Sequence, residues 1–426
     1  MPNIDEIRTM ESLDAVVRVP GSKSYTQRAL VISALAEGKT FLRNPLFSED
    51  TKYMMAALRF LGAEIVSSGE DVIVTGTAGK ITNPGAGIYL GNNGTAMRFL
   101  AGMVSLGRGD FLLTGDRRLC ERPMGPLLDA LRVLGVGSTC PGKEGHPPVV
   151  IHAGGIKGGR LMIDGVESSQ YVSSILISAP YAKGDVWIGL KGPAVSRPYI
   201  DMTVDVMRAF GVPVEGEAVG GFRVKGRRCY ESGRFLIEAD ASSASYFFLA
   251  AALCGGRVRV THMNPQTLQG DIGFLRILEH LGCAVSTGDS WVEVAGKTRL
   301  AGECSFDMKD MPDMVPTLAA LAAVREGKTV IRNVPHLRMK ESNRLEALVN
   351  ELRRVGVQAE ETQDGIVIEG GKPRGAEIET YDDHRIAMSF AMLGLVVRGI
   401  RIRNRECVRK SFSGFWEEMK KLYHRP

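Results

Sequence analysis

Leu61-Gly62-Ala63-Glu64-Ile65-Val66 ends an amphipathic helical pattern with a glycine and turns at once into a strand. The same junction returns at Leu134-Gly135-Val136, Phe210-Gly211-Val212-Pro213-Val214, Leu281-Gly282-Cys283-Ala284-Val285 and Val355-Gly356-Val357. The five glycines stand 73, 76, 71 and 74 residues apart. Self-similarity at a fixed period outranks any single motif, because so small a unit cannot bury its own apolar faces and has to pack on its copies. One unit is used several times.

Working outward, each unit opens with a small or polar cluster and runs through an apolar helix into a short β-branched strand. Those strands are Phe41-Leu42-Arg43-Asn44, Phe111-Leu112-Leu113-Thr114, Val186-Trp187-Ile188-Gly189, Val258-Arg259-Val260-Thr261, Val330-Ile331-Arg332-Asn333 and Ile400-Arg401-Ile402-Arg403, six in all. A polar loop, a second helix, the glycine stop and a strand or hairpin such as Asp71–Thr75 or Ser290–Val294 complete the unit. The sixth copy stops inside its second helix, Phe415 to Leu422. Six copies of roughly seventy residues suggest two domains of three, divided near Arg234 to Asp240. The strand Ala15–Val19, ahead of Pro20-Gly21, precedes the first copy and fits either domain.

Composition narrows the class. Apolar residues at 44% and charged residues at 24% are ordinary for a folded globule and argue against disorder. The longest nearly apolar run, Ile386 to Val397, is 12 residues and includes Ser389 and Gly394, too short for a membrane span. Met1 to Asp14 has no signal-peptide pattern. Seven cysteines with no C-x-x-C pair suggest a reducing compartment and no structural zinc, so a cytoplasmic location is expected. A net charge of +5 disfavours a nucleic-acid footprint but permits a local basic site.

The first helices begin at Gly21-Ser22-Lys23-Ser24, Asn92-Asn93-Gly94-Thr95, Ser168-Ser169-Gln170, Asp240-Ala241-Ser242-Ser243, Asp310-Met311-Pro312-Asp313 and Asp382-Asp383-His384-Arg385. Capping chemistry explains each cluster singly. As a set, three helix N-termini per domain would direct partial positive charge to one place, which is an anion site. The loops after the strands add Arg117, Arg118, Glu121 and Arg122, then Ser196, Arg197 and Tyr199, then Arg338, Lys340, Glu341 and Arg344, then Lys410. A lone arginine is usually a solvated surface group. Arg28 and Arg98 fit that reading poorly, since each stands four residues into an apolar helix and leans back toward its start. A ligand with several phosphate or carboxylate groups is the economical explanation.

Common phosphate motifs are absent. Gly38-Lys39-Thr40, Gly296-Lys297-Thr298 and Gly327-Lys328-Thr329 resemble the end of a P-loop but lack its first glycine, and read as helix C-caps or turns before strands. Gly154 to Gly159 follows a strand and opens no helix, so it is a loop. No H-x-x-x-H pair is present and no metal is expected. Two carboxylates merit catalytic attention: Asp313 near the start of one helix and Glu341 entering the next. Either alone reads as a cap or a salt-bridge partner of Lys340 or Arg344. Together, among cations, they could be the acid and base of a reaction between anions.

An ordered series spanning the chain resembles the 5-enolpyruvylshikimate-3-phosphate synthase family of enolpyruvyl transferases. It comprises Pro20–Ser24 with Arg28, Leu90–Arg98, Glu121–Gly125, Ser168–Gln170, Ser196–Tyr199, Asp310–Asp313, Arg338–Arg344, Asp383–Arg385 and Lys410. The resemblance implies an α/β fold, the two-domain inside-out α/β barrel of six β-α-β-α-β-β repeats, three per domain. Residues 1–20 with 238–426 would hold copies four to six, residues 21–237 copies one to three, and the active site would lie in the cleft between them.

The implied reaction carries the carboxyvinyl group of phosphoenolpyruvate to the 5-hydroxyl of shikimate 3-phosphate and releases phosphate, in the pathway to chorismate and aromatic amino acids. Lys23, Ser24, Arg28, Ser168, Ser169, Gln170, Ser196, Tyr199, Asp313, His336 and Lys340 would hold shikimate 3-phosphate. His336 departs from the asparagine common at that position, and a ring N–H could replace the amide donor. Lys23, Gly94, Arg122, Gln170, Arg344, Arg385 and Lys410 would hold phosphoenolpyruvate. Asp313, Glu341, Lys23 and Lys340 would be catalytic, with Asp313 as base on the 5-hydroxyl and Glu341 and Lys340 moving the C3 proton. The resemblance implies no cofactor, two small-molecule substrates, no nucleic acid, no membrane and a monomer. It also implies inhibition by glyphosate at the phosphoenolpyruvate position.

Two rivals remain. The related transferase acting on UDP-N-acetylglucosamine carries its loop cysteine further ahead of the Arg-Pro pair, whereas Cys120 precedes Arg122 by only two residues. A non-catalytic phosphate- or RNA-binding repeat scaffold would explain the basic groups but not Asp313 with Glu341.

Overall fold

The computed structural model describes residues 6–164, 168–192, 196–216, 221–296 and 302–423. Its contacts divide the chain into two compact units, residues 1–20 with 238–426 and residues 21–237. The five periodic glycines do the same job five times. Gly62, Gly135, Gly211, Gly282 and Gly356 all have φ between +80° and +105°, the region that favours glycine. At the first, Gly62 N–H donates to Arg59 O at 3.1 Å and Ala63 N–H to Leu58 O at 3.0 Å. The same pair of bonds closes the other four helices, with Gly135, Gly211, Gly282 and Gly356 each donating to the carbonyl three residues back. This is the Schellman stop, which satisfies the last carbonyls and turns the chain back as a strand.

Each copy makes its own small sheet. In the first, Lys39–Arg43 is the centre, with Arg234–Leu236 parallel on one side and Asp71–Thr75 antiparallel on the other, extended by Glu64–Ser68. Copies two to five repeat this order around Gly109–Thr114, Val186–Lys191, Arg257–Thr261 and Gly327–Arg332. In the sixth, Arg401–Ile402 pairs with Glu377–Ile378 in a two-stranded sheet, and Glu6 bridges Arg401. The expected six central strands are all present. The parallel leading strands other than the N-terminal one escaped the residue-level reading, because runs as short as Ile88–Tyr89 cannot show alternation.

Two leading strands are supplied from far away in sequence. Asp14–Arg18 pairs with Arg257–Thr261 in copy four, Val17 opposite Val260, while Arg234–Leu236 pairs with Phe41–Arg43 in copy one. The segment before the helix Lys23–Leu35 therefore serves copy four, and the segment before the helix Ala241–Cys254 serves copy one.

The first helices are α1 (Lys23–Leu35), α2 (Gly94–Val104), α3 (Ser169–Ser178), α4 (Ala241–Cys254), α5 (Val315–Val324) and α6 (His384–Leu393). They are buried almost all round: every residue from Tyr25 to Leu35, from Ala241 to Ala252 and from Val315 to Ala323 is interior. A helix apolar on every face has to sit inside. The strands alternate buried and exposed residues, as in Asp14–Arg18 and Lys39–Arg43, so each sheet gives one face to this interior and one to solvent. Helices inside and sheets outside is the inside-out α/β arrangement expected; among the described residues each sheet is separate and none closes on itself.

Some local expectations change. Arg197, Pro198 and Tyr199, expected in a loop, open the helix Arg197–Ala209, where a proline in the first turn costs no hydrogen bond. Gly38 and Gly327 have positive φ and lead into strands, as expected. Gly296 instead follows the strand Trp291–Ala295, and Lys297 and Thr298 lie outside the described residues. Among the described residues no helix is long and apolar enough to cross a membrane.

Candidate active site

Five of the six opening clusters are caps. Side-chain oxygens of Ser22, Asn93, Ser168, Asp240 and Asp383 accept from backbone N–H groups in the first turns of α1, α2, α3, α4 and α6. The exception is copy five, where the turn Pro312–Met314 precedes α5 with no side-chain cap. Its acid, Asp313, is engaged elsewhere.

In the unit of residues 21–237 the buried arginines are Arg28, Arg98 and Arg122. Arg28 is fully buried in α1, donating from Nε to Thr203 Oγ1 at 2.7 Å, from Nη1 to Ser24 O at 2.9 Å and from Nη2 to Tyr199 O at 2.8 Å. Its guanidinium lies 5.3 Å from the centre of the Phe99 ring. Burial lowers its pKa to about 10, against the opposing influence of Tyr199 and Tyr25, so it stays charged at neutral pH. Among the described residues no carboxylate pairs with it. Arg122 is also buried, its guanidinium donating from Nη1 to Asn92 Oδ1 at 3.5 Å, again with no carboxylate partner among the described residues.

Gly94 completes this group. A Cβ there would lie 2.6 Å from Arg122 Cζ and Arg98 Nη1, so the missing side chain is what lets two guanidinium groups meet the start of α2. Arg98 leans back as expected, donating to Gly94 O at 3.0 Å and Pro123 O at 2.8 Å. Gln170 Nε2 donates to Thr95 Oγ1 at 3.0 Å, tying α3 to α2. Asn93 caps α2 through Ala96 N–H at 2.9 Å and donates to Asp50 O at 2.7 Å, while the Asp50 carboxylate pairs with Lys23 Nζ at 3.4 Å. Ser169 and Ser196 are buried, and Ser196 holds φ +58° at the entry of its helix, an uncommon conformation for a residue with a side chain.

The other unit holds its cations differently. Arg344, 1% exposed, grips three carboxylates: Nε to Asp383 Oδ2 at 2.7 Å, Nη1 to Asp313 Oδ1 at 2.9 Å and Nη2 to Glu341 Oε2 at 2.7 Å. Arg385 Nη2 reaches the other Asp313 oxygen, Oδ2, at 2.7 Å. Burial, the largest single influence, would push the Asp313 carboxyl up, but Arg385, Lys340 and Arg344 together outweigh it and hold it well below the usual carboxylate range. Arg344 is raised in turn: burial works against its charge, and Asp383, Glu341 and Asp313 more than compensate.

His336 stands in the turn Pro335–Met339, with both ring nitrogens buried and without hydrogen-bond partners among the described residues. Burial first, then Lys340, lowers its pKa to about 3, so the ring is neutral. Lys410 is buried at the end of the turn Arg405–Lys410, which packs on α6. The bland reading does hold for Arg117 and Arg118, each of which pairs with Glu121 at 3.2 Å on the surface. Of the candidate residues of copies five and six, Asp313, Glu341, Arg344 and Arg385 thus form one ion-pair network.

Ser242 and Tyr246, which contact Arg385, and Asp271, which contacts Ser242, did not stand out as site residues in the sequence. Arg385 Nη1 donates to Tyr246 Oη and its Nη2 to Ser242 Oγ, both at 3.4 Å, and Ser242 Oγ donates to Asp271. Ser242 and Tyr246 are one helical turn apart on α4, a spacing visible in the sequence. Asp271, in Gln269-Gly270-Asp271, reads there only as a turn.

The family model described as EPSP synthase (3-phosphoshikimate 1-carboxyvinyltransferase) matches residues 7–419. A 3-phosphoshikimate 1-carboxyvinyltransferase from Methanoculleus marisnigri is 45% identical over 410 residues, 96% of each chain. That of Nostoc punctiforme is 43% identical over 406 residues, 95% of each. The solved EPSP synthase of Acinetobacter baumannii superposes with a TM-score of 0.81 at 30% identity, covering 99% of this chain and 98% of that one. With the six repeats, the paired carboxylates and the buried cations already in place, these similarities show that the chain belongs to the EPSP synthase family of carboxyvinyltransferase enzymes.

Proposed function

We propose that the chain transfers the carboxyvinyl group of phosphoenolpyruvate to the 5-hydroxyl of shikimate 3-phosphate, releasing phosphate, and that it does so with the residues assigned below. One observation carries the assignment. The chain buries Arg28 and Arg122 with no carboxylate partner among the described residues, and elsewhere holds the half-buried Asp313 between two arginines. An unpaired buried guanidinium is costly, and an anionic substrate that pairs with it supplies the missing charge.

Arg28, Ser24, Ser168, Ser169, Ser196, Tyr199 and Lys23 suit a phosphate on a polyol, with hydroxyl donors around a single guanidinium. Gly94, Arg122, Gln170 and Lys410 suit a small phospho-carboxylate, with bidentate arginine and bare helix N–H groups. His336, neutral and with two unpartnered nitrogens, suits one donor and one acceptor contact to a polar substrate atom.

In the reaction the 5-hydroxyl adds to C2 of phosphoenolpyruvate as C3 gains a proton, and the tetrahedral adduct then loses phosphate and a C3 proton. Asp313 accepts the hydroxyl proton. While Arg344 and Arg385 hold it, Asp313 is ionised but weakly basic. A phospho-carboxylate that draws those two cations to itself leaves a half-buried carboxylate with less compensation, and its basicity rises. Substrate binding thus prepares the base. Glu341, released from Arg344 by the same exchange, and Lys340 carry the C3 proton.

The test is phosphate release with and without shikimate 3-phosphate. Release that requires it supports this reading. Release that requires UDP-N-acetylglucosamine instead, or no release, refutes it.

A further inference from the structure

Arg385 faces two carboxylates, and only one of them belongs to the assignment above. Its Nη2 contacts Asp313 at 2.7 Å and also points at Ser242 Oγ, 3.4 Å away, whose hydroxyl donates to Asp271 Oδ2. Asp271 is 4% exposed, in the turn Gly270–Gly273 that packs against α4 and against the turn Pro312–Met314. The mechanism leaves this buried acid without a task. Burying a carboxyl beside a substrate-binding arginine is costly, and a plain core would place an apolar side chain there.

We propose that Asp271 is a positioning residue for the transfer reaction, an acid that acts through the Ser242 hydroxyl on Arg385 and sets how much of that arginine's charge is available to phosphoenolpyruvate. The proposal rests on Arg385 being a phosphoenolpyruvate ligand. When Asp271 is ionised, the hydrogen-bond chain from Arg385 through Ser242 ends on a negative charge, and the guanidinium is shared between Asp271 and Asp313. When Asp271 is protonated, that competing charge is gone and Arg385 answers to Asp313 and the substrate alone.

The groups facing Asp271 set where this change falls. Burial is the largest influence and pushes its carboxyl up; Asp313 raises it further, Arg385 and the Ser242 hydrogen bond lower it, and Asp240 at the start of α4 raises it. The result is about 7, inside the working range of an enzyme. The sign follows from linkage. An anion bound at Arg385 withdraws the cation that favours ionised Asp271, so binding favours its protonated form, and affinity for phosphoenolpyruvate falls as pH rises through about 7. A coupling of one pKa unit between the two sites corresponds to a roughly tenfold difference in affinity between the acid and alkaline limits.

The experiment compares the KM for phosphoenolpyruvate from pH 5.5 to 9 in the wild type, Asp271→Asn and Ser242→Ala. The phosphate of the substrate titrates equally in all three, so only differences between the profiles count. Asp271→Asn should remove the rise in KM through neutrality, keeping KM near its acid limit and changing kcat less than KM. Ser242→Ala cuts the link from Asp271 to Arg385, so it should shrink the rise in KM, and it removes the hydrogen bond that favours the ionised form, so the inflection that remains should move to higher pH. Identical profiles in all three proteins would overturn the proposal, because a merely structural Asp271 would change stability without changing the pH dependence of KM. Should Asp271→Asn fail to fold, the shifted inflection in Ser242→Ala still decides. Absence of transfer in the wild type would refute the reaction, and calorimetric titration with phosphoenolpyruvate at pH 6 and pH 8 would then decide this proposal by the same comparison of profiles.

Discussion

The two units are built from the same repeat and hold the buried arginines among the candidate site residues in opposite ways. In residues 21–237, Arg28 and Arg122 are buried against neutral oxygens and aromatic rings, with no carboxylate partner among the described residues. In residues 238–426, Arg344 and Arg385 are buried against Asp313, Glu341 and Asp383. On the proposed assignment, the first arrangement takes up an anion directly, whereas in the second an anion enters by exchange with a carboxylate, and the carboxylate it releases becomes the base. One repeat would thus supply binding in one unit and proton transfer in the other.

The largest effect expected on this comparison is on turnover. Asp313→Ala should lower kcat by ~10² to 10⁴-fold, the usual range for loss of a general base. Phosphoenolpyruvate affinity should hold or improve, because the acid that competes for Arg385 and Arg344 is gone. Normal turnover in steady-state assays would remove Asp313 from the mechanism.

Stability separates the units next. Arg344→Leu strands the buried Asp383 and the half-buried Glu341, weakens the hold on Asp313 and should cost about 3–5 kcal/mol, the range for breaking a buried ion pair on one side. Arg28→Leu strands only a hydroxyl and two carbonyls and should cost about 1–2 kcal/mol. Denaturant titration of both variants measures the difference. Equal losses would mean that Arg28 also neutralises an acid in the free protein.

Binding reverses the order. Arg28→Ala removes charge-assisted hydrogen bonds worth about 1.5–3 kcal/mol, so KM for shikimate 3-phosphate should rise roughly 10- to 100-fold. The affinity that remains should depend less on salt than in the wild type. An unchanged KM would take Arg28 out of the phosphate site.

The smallest effect belongs to Gly94. The methyl of Gly94→Ala meets the movable ends of Arg98 and Arg122 rather than backbone, so these side chains yield. A cost of about 1 kcal/mol, the lower end for overpacking, gives a roughly fivefold rise in KM for phosphoenolpyruvate. Glyphosate, longer than the substrate, should lose more affinity than phosphoenolpyruvate does. Equal losses, from inhibition measured against varied phosphoenolpyruvate, would separate Gly94 from that position.

Much of this was legible in the chain. Five glycines at one period determined the repeat, because only a positive φ permits the Schellman stop and only glycine takes it freely. Cap residues marked the helix starts, because a buried helix end has to satisfy its N–H groups. Arg28 and Arg98 stood out as cations within apolar helices. Local hydrogen bonding and periodicity decide all of these, and both are written in consecutive residues.

Tertiary structure alone decided the rest. No local pattern says that Asp14–Arg18 completes the sheet of copy four while Arg234–Leu236 completes that of copy one, since either strand could pair with either centre. Nor does spacing reveal that Arg344 gathers Asp313 and Asp383 from 31 and 39 residues away, or that Asp271 lies behind Ser242, 29 residues earlier. A charge shows in the sequence as a residue type. Whether it is paired, and so whether it binds an anion, neutralises an acid or tunes a neighbour, depends on which side chains the folded core brings within hydrogen-bond distance and how far it excludes water from them.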